Sequence, residues 1–321
     1  MAENRGEARR ASLRLKALNL ALRLLAKPQL ARETDVARSR REFDLAGCAL
    51  TRPPPGALYL PGEIAGPGGS LPVLHVSVGA VDRRRVVLYL HGGAFVSGSA
   101  AAYRAMLAWI SAEAGVPVVA PDYRLAPEHP FPAALEDAEA AFRQLYARGY
   151  EPGQIALAGD SAGGGLAFAL LARLCRQGQV PAAALGFSPW VDLSGGSASV
   201  IANATADPFL PAERLVDVAE MYLQGHPAED PEASPLFADF PGAPPVLLVH
   251  AETEILRDDS LRLAHRLRGF GAAVRVESWP EPPHVWPFLG GWLPEARAAL
   301  ALAGGFLRAA LRPEPGRPAG S

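Results

Sequence analysis

A serine in a glycine-rich turn is the residue of this sequence best suited to nucleophilic chemistry. The apolar run 155–158 leads into Gly159-Asp160-Ser161-Ala162-Gly163-Gly164, which has the spacing G-x-S-x-G. Small residues two positions before and after a serine allow a turn tight enough to lift its Oγ clear of a sheet, and a following helix directs backbone N–H groups at the same point. The pattern predicts a strand, a sharp turn and a helix, with Ser161 as nucleophile and Asp160 bracing the turn.

A serine hydroxyl needs a base, and the base needs a carboxylate that holds its tautomer. When the residues follow the order Ser, acid, His, the acid lies after a late strand and the histidine after the last strand. A late strand-like run of this sequence is followed by Glu252, Glu254 and Asp258, and the last such run is followed by His284. His284 is therefore the candidate base, and the three carboxylates are candidates for the acid.

Hydrogen-bond donors for a developing oxyanion are predicted at two places. The apolar run 86–90 ends in His91-Gly92-Gly93-Ala94-Phe95, and glycine N–H groups can approach an oxyanion without interference from a Cβ atom. Gly92 and Gly93 are thus expected to contribute to an oxyanion hole. The N–H of Ala162, next to the nucleophile, is the remaining donor.

The elements that must position these residues are short apolar strands that alternate with helical stretches. Continuous apolar strands separated by helices imply a mostly parallel sheet that is covered on both faces. The predicted strands are 58–60, 73–78, 86–90, 116–120, 155–158, 183–187, 246–249 and 274–277. The predicted helices are 13–25, 133–148, 161–177, 211–223, 260–269 and 295–311, and the tail from Pro313 is expected to fray.

The composition excludes several classes of function. Residues of the set AVILMFWYC make up 49% of the 321 residues, and Lys plus Arg (31) nearly balance Asp plus Glu (33). Such a balance predicts a globular protein without the positive field that draws nucleic acids. The two cysteines are far apart, so neither a disulfide framework nor a zinc or other metal site is indicated. No transmembrane segment or export signal is recognised, which favours the cytoplasm.

A leucine-rich stretch near the start has helical spacing. Leu15, Leu18, Leu22 and Leu25 recur on one side of a helix, and basic residues interrupt the stretch, so it does not resemble a signal peptide. We expect this amphipathic helix to pack on its own protein. A helix that lies on a membrane surface is the alternative.

Five motifs together resemble the bacterial hormone-sensitive-lipase-like esterases. They are HGGAF at 91–95, DYRLAPEHPFPAALED at 122–137, GDSAGG at 159–164, SPWVDLS at 188–194 and HVWP at 284–287. The resemblance implies an α/β-hydrolase fold, a mostly parallel central sheet flanked by helices, with a helical cap. It also implies a small-molecule acyl ester of short to medium chain as substrate, with no cofactor. By position, the nucleophile is Ser161, the base His284, and the oxyanion donors Gly92, Gly93 and Ala162.

The triad acid departs from the family pattern, in which the corresponding loop resembles D-P-L-x-D. Here the loop 254–259 reads E-I-L-R-D-D, so Glu254 occupies the acid position, with Glu252 and Asp258 as rivals. A glutamate can orient an imidazole as an aspartate does. Four aromatic residues are candidates for lining an acyl pocket; these are Phe95, Trp190, Phe209 and Trp286.

The resemblance also implies a division of the chain and leaves alternative functions open. The divisions are an N-terminal cap portion (1–50), a first core part (51–193), a cap insertion (194–232) and a second core part (233–321). An amidase or deacetylase would use the same residues as an esterase. A ligand-binding relative without turnover, like the plant gibberellin receptors, is disfavoured by the presence of His284. A homodimer paired along the last strand is expected from the family alone.

Overall fold

Eight strands form one sheet at the centre of the protein, which we describe over residues 11–312 of a computed structural model. The strands are β1 (Ala57–Gly66), β2 (Gly69–Val78), β3 (Val86–Leu90), β4 (Val118–Pro121), β5 (Ile155–Asp160), β6 (Ala183–Phe187), β7 (Val246–Ala251) and β8 (Val274–Trp279). Their spatial order is β1-β2-β4-β3-β5-β6-β7-β8. Only β2 runs antiparallel to its two neighbours, so the prediction of a mostly parallel sheet is confirmed. The tail from Pro313 lies outside the described residues.

Helices cover both faces of the sheet. They are α1 (Leu13–Ala21), a π-helix (Leu22–Ala26), α2 (Lys27–Arg32), α3 (Val36–Leu50), α4 (Ala100–Ala114), α5 (Ala133–Ala147), α6 (Ser161–Arg176), α7 (Ala198–Ala202), α8 (Arg214–Leu223), α9 (Arg257–Gly269) and α10 (Pro294–Ala310). Helices α4 and α10 pack on one face, and α5, α6 and α9 pack on the other. Neither α3 nor α4 has a counterpart among the predicted helices.

Alternate side chains of the central strands enter two separate cores. In β3, Val86, Leu88 and Leu90 pack against α5 and α6, whereas Val87 and Tyr89 pack on the side of α4 and α10. All five are fully buried. A strand with both faces covered has no polar side, which is why it appears in the sequence as a continuous apolar run.

The first helical segment keeps only part of the predicted apolar side. Leu15 is buried and Leu18 and Leu22 are half-buried, but Leu25 is 71% exposed. The expectation that Leu25 shares their side is wrong, because the π-helix Leu22–Ala26 has more residues per turn and rotates Leu25 away from the core.

The N-terminal helices and the segment around α7 are joined by side-chain contacts. The guanidinium of Arg23 donates to the carbonyl oxygen of Ala206 at 2.7 Å, and Lys27 Nζ donates to that of Ala204 at 2.6 Å. Arg214, at the start of α8, donates to the carbonyl of Glu33 at 2.9 Å. These contacts join the two parts of the chain that are expected to form the cap. The boundaries of the four divisions stay predictions.

Candidate active site

Ser161 lies at a sharp turn between β5 and α6. Its backbone has φ +50°, in the left-handed region, which places its side chain above the carboxyl end of the sheet. A Cβ atom at Gly159 would come within 2.3 Å of the carbonyl oxygen of Gly163, and one at Gly163 within 2.1 Å of that of His91. The two glycines of the G-x-S-x-G motif are therefore required by close backbone contacts around the turn.

A continuous hydrogen-bonded chain links Ser161 to a histidine and a carboxylate. Ser161 Oγ lies 2.8 Å from His284 Nε2, and His284 Nδ1 lies 2.9 Å from Glu254 Oε2. His284 follows β8 and Glu254 follows β7, so the ends of three parallel strands bring the side chains together. The Glu254 carboxylate is fully buried, and its other oxygen accepts the N–H of Ala251 at 3.0 Å. With Glu254 accepting from Nδ1–H, Nε2 carries the lone pair that can accept the serine proton.

The two rival carboxylates lie elsewhere. Glu252 is exposed at the surface. Asp258 accepts the backbone N–H of Ser199 at 2.9 Å and pairs with Arg257, so it joins the start of α9 to α7. The structure therefore brings Glu254 to the imidazole, and neither Glu252 nor Asp258.

In the loop after β3, the N–H groups that are free to donate differ in one position from the predicted pair. The N–H of Gly92 donates to Asp160 Oδ1 at 3.0 Å, so it is not free for an oxyanion, and the prediction for Gly92 is corrected. Gly93 and Ala94 line the cavity beside Ser161, and within residues 11–312 the N–H of neither donates a hydrogen bond. Ala162 is the second residue of α6, where an N–H has no partner within the helix. Gly93, Ala94 and Ala162 are thus the candidate donors.

The sequence does not indicate Ala94 as a donor, because glycines are the residues expected at such positions and both glycines of this loop precede it. Ala94 has φ +54° and follows Gly93 with φ +126°. Gly93 is required there because a Cβ atom would lie 2.1 Å from the carbonyl oxygen of Ser97. An alanine after two glycines at the end of a buried strand is the only signal in the sequence that could have indicated this position.

A cavity of about 450 Å³ lies over the serine. Its walls come from the N-terminal helices, from residues 209–221 including much of α8, and from the loop around His284. Most of the lining side chains are apolar, among them Leu18, Leu22, Leu215 and Met221. A cavity of this size and character fits a small apolar or amphiphilic ligand.

Two of the four aromatic residues predicted to line a pocket do so. Phe209 and Trp286 line the cavity, together with Phe288. Phe95 and Trp190 do not. Phe95 is buried and stacks on Tyr222 with ring centroids 3.8 Å apart, and Trp190 is buried with its indole N–H donating to the carbonyl of Asp192. The predictions for Phe95 and Trp190 are wrong, because both rings are packed within the same buried core as Tyr222.

Comparison with known proteins agrees with this geometry. A family model of the alpha/beta hydrolase fold matches residues 87–288. The chain is 44% identical over 227 residues to an acetyl-hydrolase of Streptomyces hygroscopicus, which covers 70% of this chain and 76% of that protein. It is 37% identical to an esterase of the bacterial hormone-sensitive lipase family whose crystal structure superposes with a TM-score of 0.86, over 94% of this chain and 100% of that one. The chain belongs to the bacterial hormone-sensitive lipase family.

In this hormone-sensitive lipase family member, the Asp160 carboxylate holds the loop after β3 against the turn at Ser161. It is fully buried and accepts hydrogen bonds from Gly92 N–H at 3.0 Å, from the hydroxyl of Tyr89 at 2.8 Å and from that of Tyr103 at 2.7 Å. Burial raises the pKa of Asp160 to about 6, against the opposing effect of these donors. Because Gly92 is fixed by Asp160, the next two N–H groups of the loop are held in place beside the serine. Asp160 therefore fixes the backbone next to the candidate oxyanion donors.

Replacing Asp160 with asparagine is expected to lower kcat for a soluble ester by about 10- to 100-fold while KM changes less than about threefold. The amide oxygen can still accept from the Gly92 N–H, but it carries no negative charge, so the hydrogen bond that fixes the loop weakens and the free N–H groups are held less precisely. Steady-state kinetics with p-nitrophenyl butyrate measure the two constants. Asp239→Asn, which changes an exposed carboxylate, is the control. A kcat within twofold of wild type would show that Asp160 does not position the donors.

The same substitution also alters the pH dependence of stability. The pKa of an aspartate in an unfolded chain is about 3.9, whereas the pKa of Asp160 in the folded protein is about 6. Between these values the folded state binds more protons, so this carboxyl lowers the free energy of unfolding as pH rises from about 4 to about 6. Asparagine does not titrate, so the stability of Asp160→Asn relative to wild type is expected to increase over that range. Urea denaturation at pH 4.5 and 6.5 tests this, and an unchanged difference would contradict it.

Two further observations bear on cofactors and membranes. Within residues 11–312, no group of three or more His, Cys, Asp or Glu side chains could hold a metal ion. Among the helices in that part of the chain, none has the length and apolar character needed to cross a membrane.

Proposed function

We propose that this protein is a serine carboxylesterase that hydrolyses short- to medium-chain acyl esters through an acyl-enzyme on Ser161. The observation that carries the proposal is the hydrogen-bonded chain from Ser161 Oγ through His284 to the buried Glu254 carboxylate. A serine hydroxyl has no strong nucleophilicity of its own, and this arrangement supplies the base and the group that orients it.

The reaction follows from the position of each proton. His284 Nε2 accepts the proton of Ser161 as Oγ attacks the ester carbonyl carbon, and the carbonyl oxygen becomes negatively charged. The N–H groups of Gly93, Ala94 and Ala162 stabilise that charge. His284 then donates its proton to the departing alcohol oxygen, which leaves the acyl group on Ser161. Water, deprotonated by His284, attacks the acyl-enzyme, and His284 then returns the proton to Ser161 Oγ as the acid is released.

The size and lining of the cavity support an ester with a short to medium acyl chain. About 450 Å³ of mostly apolar space lies over the serine, and the cap encloses part of it. Relatives named an acetyl-hydrolase in Streptomyces hygroscopicus and an esterase in Mycobacterium tuberculosis are consistent with this substrate class. A cavity with few charged groups favours uncharged esters because burying a charge without a partner is costly.

A panel of p-nitrophenyl esters from acetyl to palmitoyl tests the proposed substrate class. We expect kcat/KM for the butyrate or hexanoate to exceed that for the palmitate by at least about tenfold, because the far end of a long chain finds no further apolar wall. The matched butyryl p-nitroanilide should turn over more slowly than the ester. Faster turnover of the anilide would move the assignment to an amidase, and a maximum at palmitate would contradict the chain length.

We also propose that the protein is cytoplasmic and that it forms a homodimer. The exposed edge of β8 is the place where a second copy would pair, because β8 has only β7 as a neighbour in the sheet. Size-exclusion chromatography with light scattering would measure the oligomeric state.

A further inference from the structure

The first helical segment, residues 13–32, has apolar side chains on two opposite sides. On one side Leu18, Leu22 and Leu30 line the cavity over Ser161. On the other side Leu13, Leu20 and Leu24 point into solvent and are 84%, 59% and 66% exposed. We call these last three residues the outer leucine face. A single-sided amphipathic helix needs only its buried side to be apolar, so the outer leucine face is not explained by packing within the chain.

The outer leucine face forms one continuous strip. Leu20 follows Leu13 by seven residues, which places both on the same side of α1. Leu24 follows Leu20 by four residues, lies in the π-helix and is exposed as they are. Leu25, just beyond the strip, is also exposed because the π-helix rotates it outward. Three or four leucines along about three turns of helix form one exposed apolar surface.

Positive charge borders this strip. Residues 11–32 contain Arg14, Lys16, Arg23, Lys27 and Arg32 and no Asp or Glu, although the whole chain has a formal net charge of −2. Lys16 and Arg23 are exposed and each follows a leucine of the strip by three residues, so both flank it directly. Two acidic side chains contact this segment at its ends, where Glu295 accepts hydrogen bonds from Ser12 and Glu42 accepts one from Gln29.

The segment is held firmly to the rest of the protein. Arg14 donates to the carbonyl of Trp292 at 3.0 Å, and Arg23 and Lys27 donate to the carbonyls of Ala206 and Ala204. These bonds use only part of the hydrogen-bonding capacity of each cation and leave its charge uncompensated, since a carbonyl oxygen is neutral. The helix therefore presents its leucines and its charge in a fixed orientation.

We propose that the outer leucine face docks on an anionic lipid surface, with its leucines at the boundary between headgroups and acyl chains and its basic residues near the phosphates. Leucine burial and attraction of basic residues to anionic lipids are the two contributions that bind an interfacial helix. The cytoplasmic leaflet of a membrane carries such lipids. A helix is about 10 Å wide, so docking brings the cavity on its inner side within about that distance of the lipid.

A second copy of the chain is the other partner that an apolar strip could bind. Leucine-to-leucine packing between two copies would bring the basic residues of both copies together, and like charges at close range oppose association. An anionic surface removes this repulsion and gains from the same charges. The charge pattern of residues 11–32 therefore favours lipid over a second copy.

Vesicle sedimentation tests the proposal with the full chain. All proteins carry Ser161→Ala, so that hydrolysis cannot alter the vesicles and the result does not depend on the proposed esterase activity. We expect at least tenfold tighter binding to vesicles of equal parts phosphatidylcholine and phosphatidylglycerol than to phosphatidylcholine alone. The double variant Leu20→Ser/Leu24→Ser should lose at least tenfold of that affinity, and 0.5 M NaCl should weaken it as well.

The matched control is Leu58→Ser/Leu60→Ser. These two leucines lie on the edge strand β1 and are 65% and 68% exposed, about as much as Leu20 and Leu24. Binding of the control should stay within twofold of the parent. In a second set of proteins that keep Ser161, both double variants should hydrolyse p-nitrophenyl butyrate at the wild-type rate, which shows that they fold.

Three outcomes would overturn the proposal. The first is equal or undetectable binding to the two kinds of vesicle. The second is the same loss of affinity in the control as in Leu20→Ser/Leu24→Ser, which would indicate a general effect of exposed leucines. The third is a dimer in light scattering that Leu20→Ser/Leu24→Ser dissociates while vesicle binding is absent, which would assign the face to a second copy.

Discussion

Ser161→Ala is expected to lower kcat for p-nitrophenyl butyrate by at least about 10⁴-fold. The Oγ atom that receives the acyl group is removed, while the oxyanion donors and the cavity remain. Residual hydrolysis above that of water would come from those donors and from binding in the cavity. Steady-state rates with the purified variant measure the loss.

Labelling with a fluorophosphonate distinguishes loss of the nucleophile from loss of the fold. Wild type should be modified on Ser161 at one equivalent, and Ser161→Ala should not be modified although its thermal unfolding stays cooperative. Ser70→Ala, which removes a surface hydroxyl that donates to Glu63, is the control and should keep the wild-type rate. Turnover by Ser161→Ala near the wild-type rate would refute the acyl-enzyme.

Glu254→Gln is expected to lower kcat by about 10³- to 10⁴-fold. The carboxylate accepts from His284 Nδ1 at 2.9 Å and from the N–H of Ala251 at 3.0 Å. An amide in its place can turn an N–H toward Nδ1, which stabilises the tautomer with its proton on Nε2 and leaves no lone pair for the proton of Ser161. It also removes the negative charge that stabilises the imidazolium ion. Rates at several pH values between 6 and 9 measure the effect.

Two conservative substitutions in the same loop serve as controls for the acid. Glu252→Gln changes an exposed side chain and should leave kcat within about threefold of wild type. Asp258→Asn removes the ion pair with Arg257 and weakens the contact with α7, so it should affect stability more than kcat. If either control lost more kcat than Glu254→Gln, the residue changed in that control would be the triad acid instead.

The strands that carry the site could be predicted from the sequence because burial on both faces leaves a local signature. The predicted run 183–187 coincides with β6, and the run 86–90 coincides with β3. Helix α4 was not predicted because its side chains are apolar nearly all round, so it has no polar side to give a helical period. The π-helix was not predicted either, since no single residue type marks one extra residue per turn.

Within the site, the triad could be predicted from the sequence, whereas the oxyanion donors could be predicted only in part. The order of Ser161, Glu254 and His284 along the chain, each after a strand of a parallel sheet, was enough to propose them together, and the structure places them in hydrogen-bond contact. In the loop after β3, the predicted pair of candidate donors is Gly92 and Gly93, whereas the N–H groups that stay free are those of Gly93 and Ala94. Only the contact between Gly92 and Asp160, which are 68 residues apart, shows that this N–H is already occupied.

The sequence by itself determined the sheet, the turn at Ser161 and the candidate nucleophile and base, because these depend on periodicity and on residues adjacent along the chain. Tertiary structure decided which carboxylate reaches His284, which N–H groups stay free, and why Phe209 and Trp286 line the cavity while Phe95 and Trp190 belong to the core. Tertiary structure also determines that the side chains of the outer leucine face stay in solvent. Each of these depends on which surfaces of distant segments meet, and packing in three dimensions, rather than local spacing, sets those contacts.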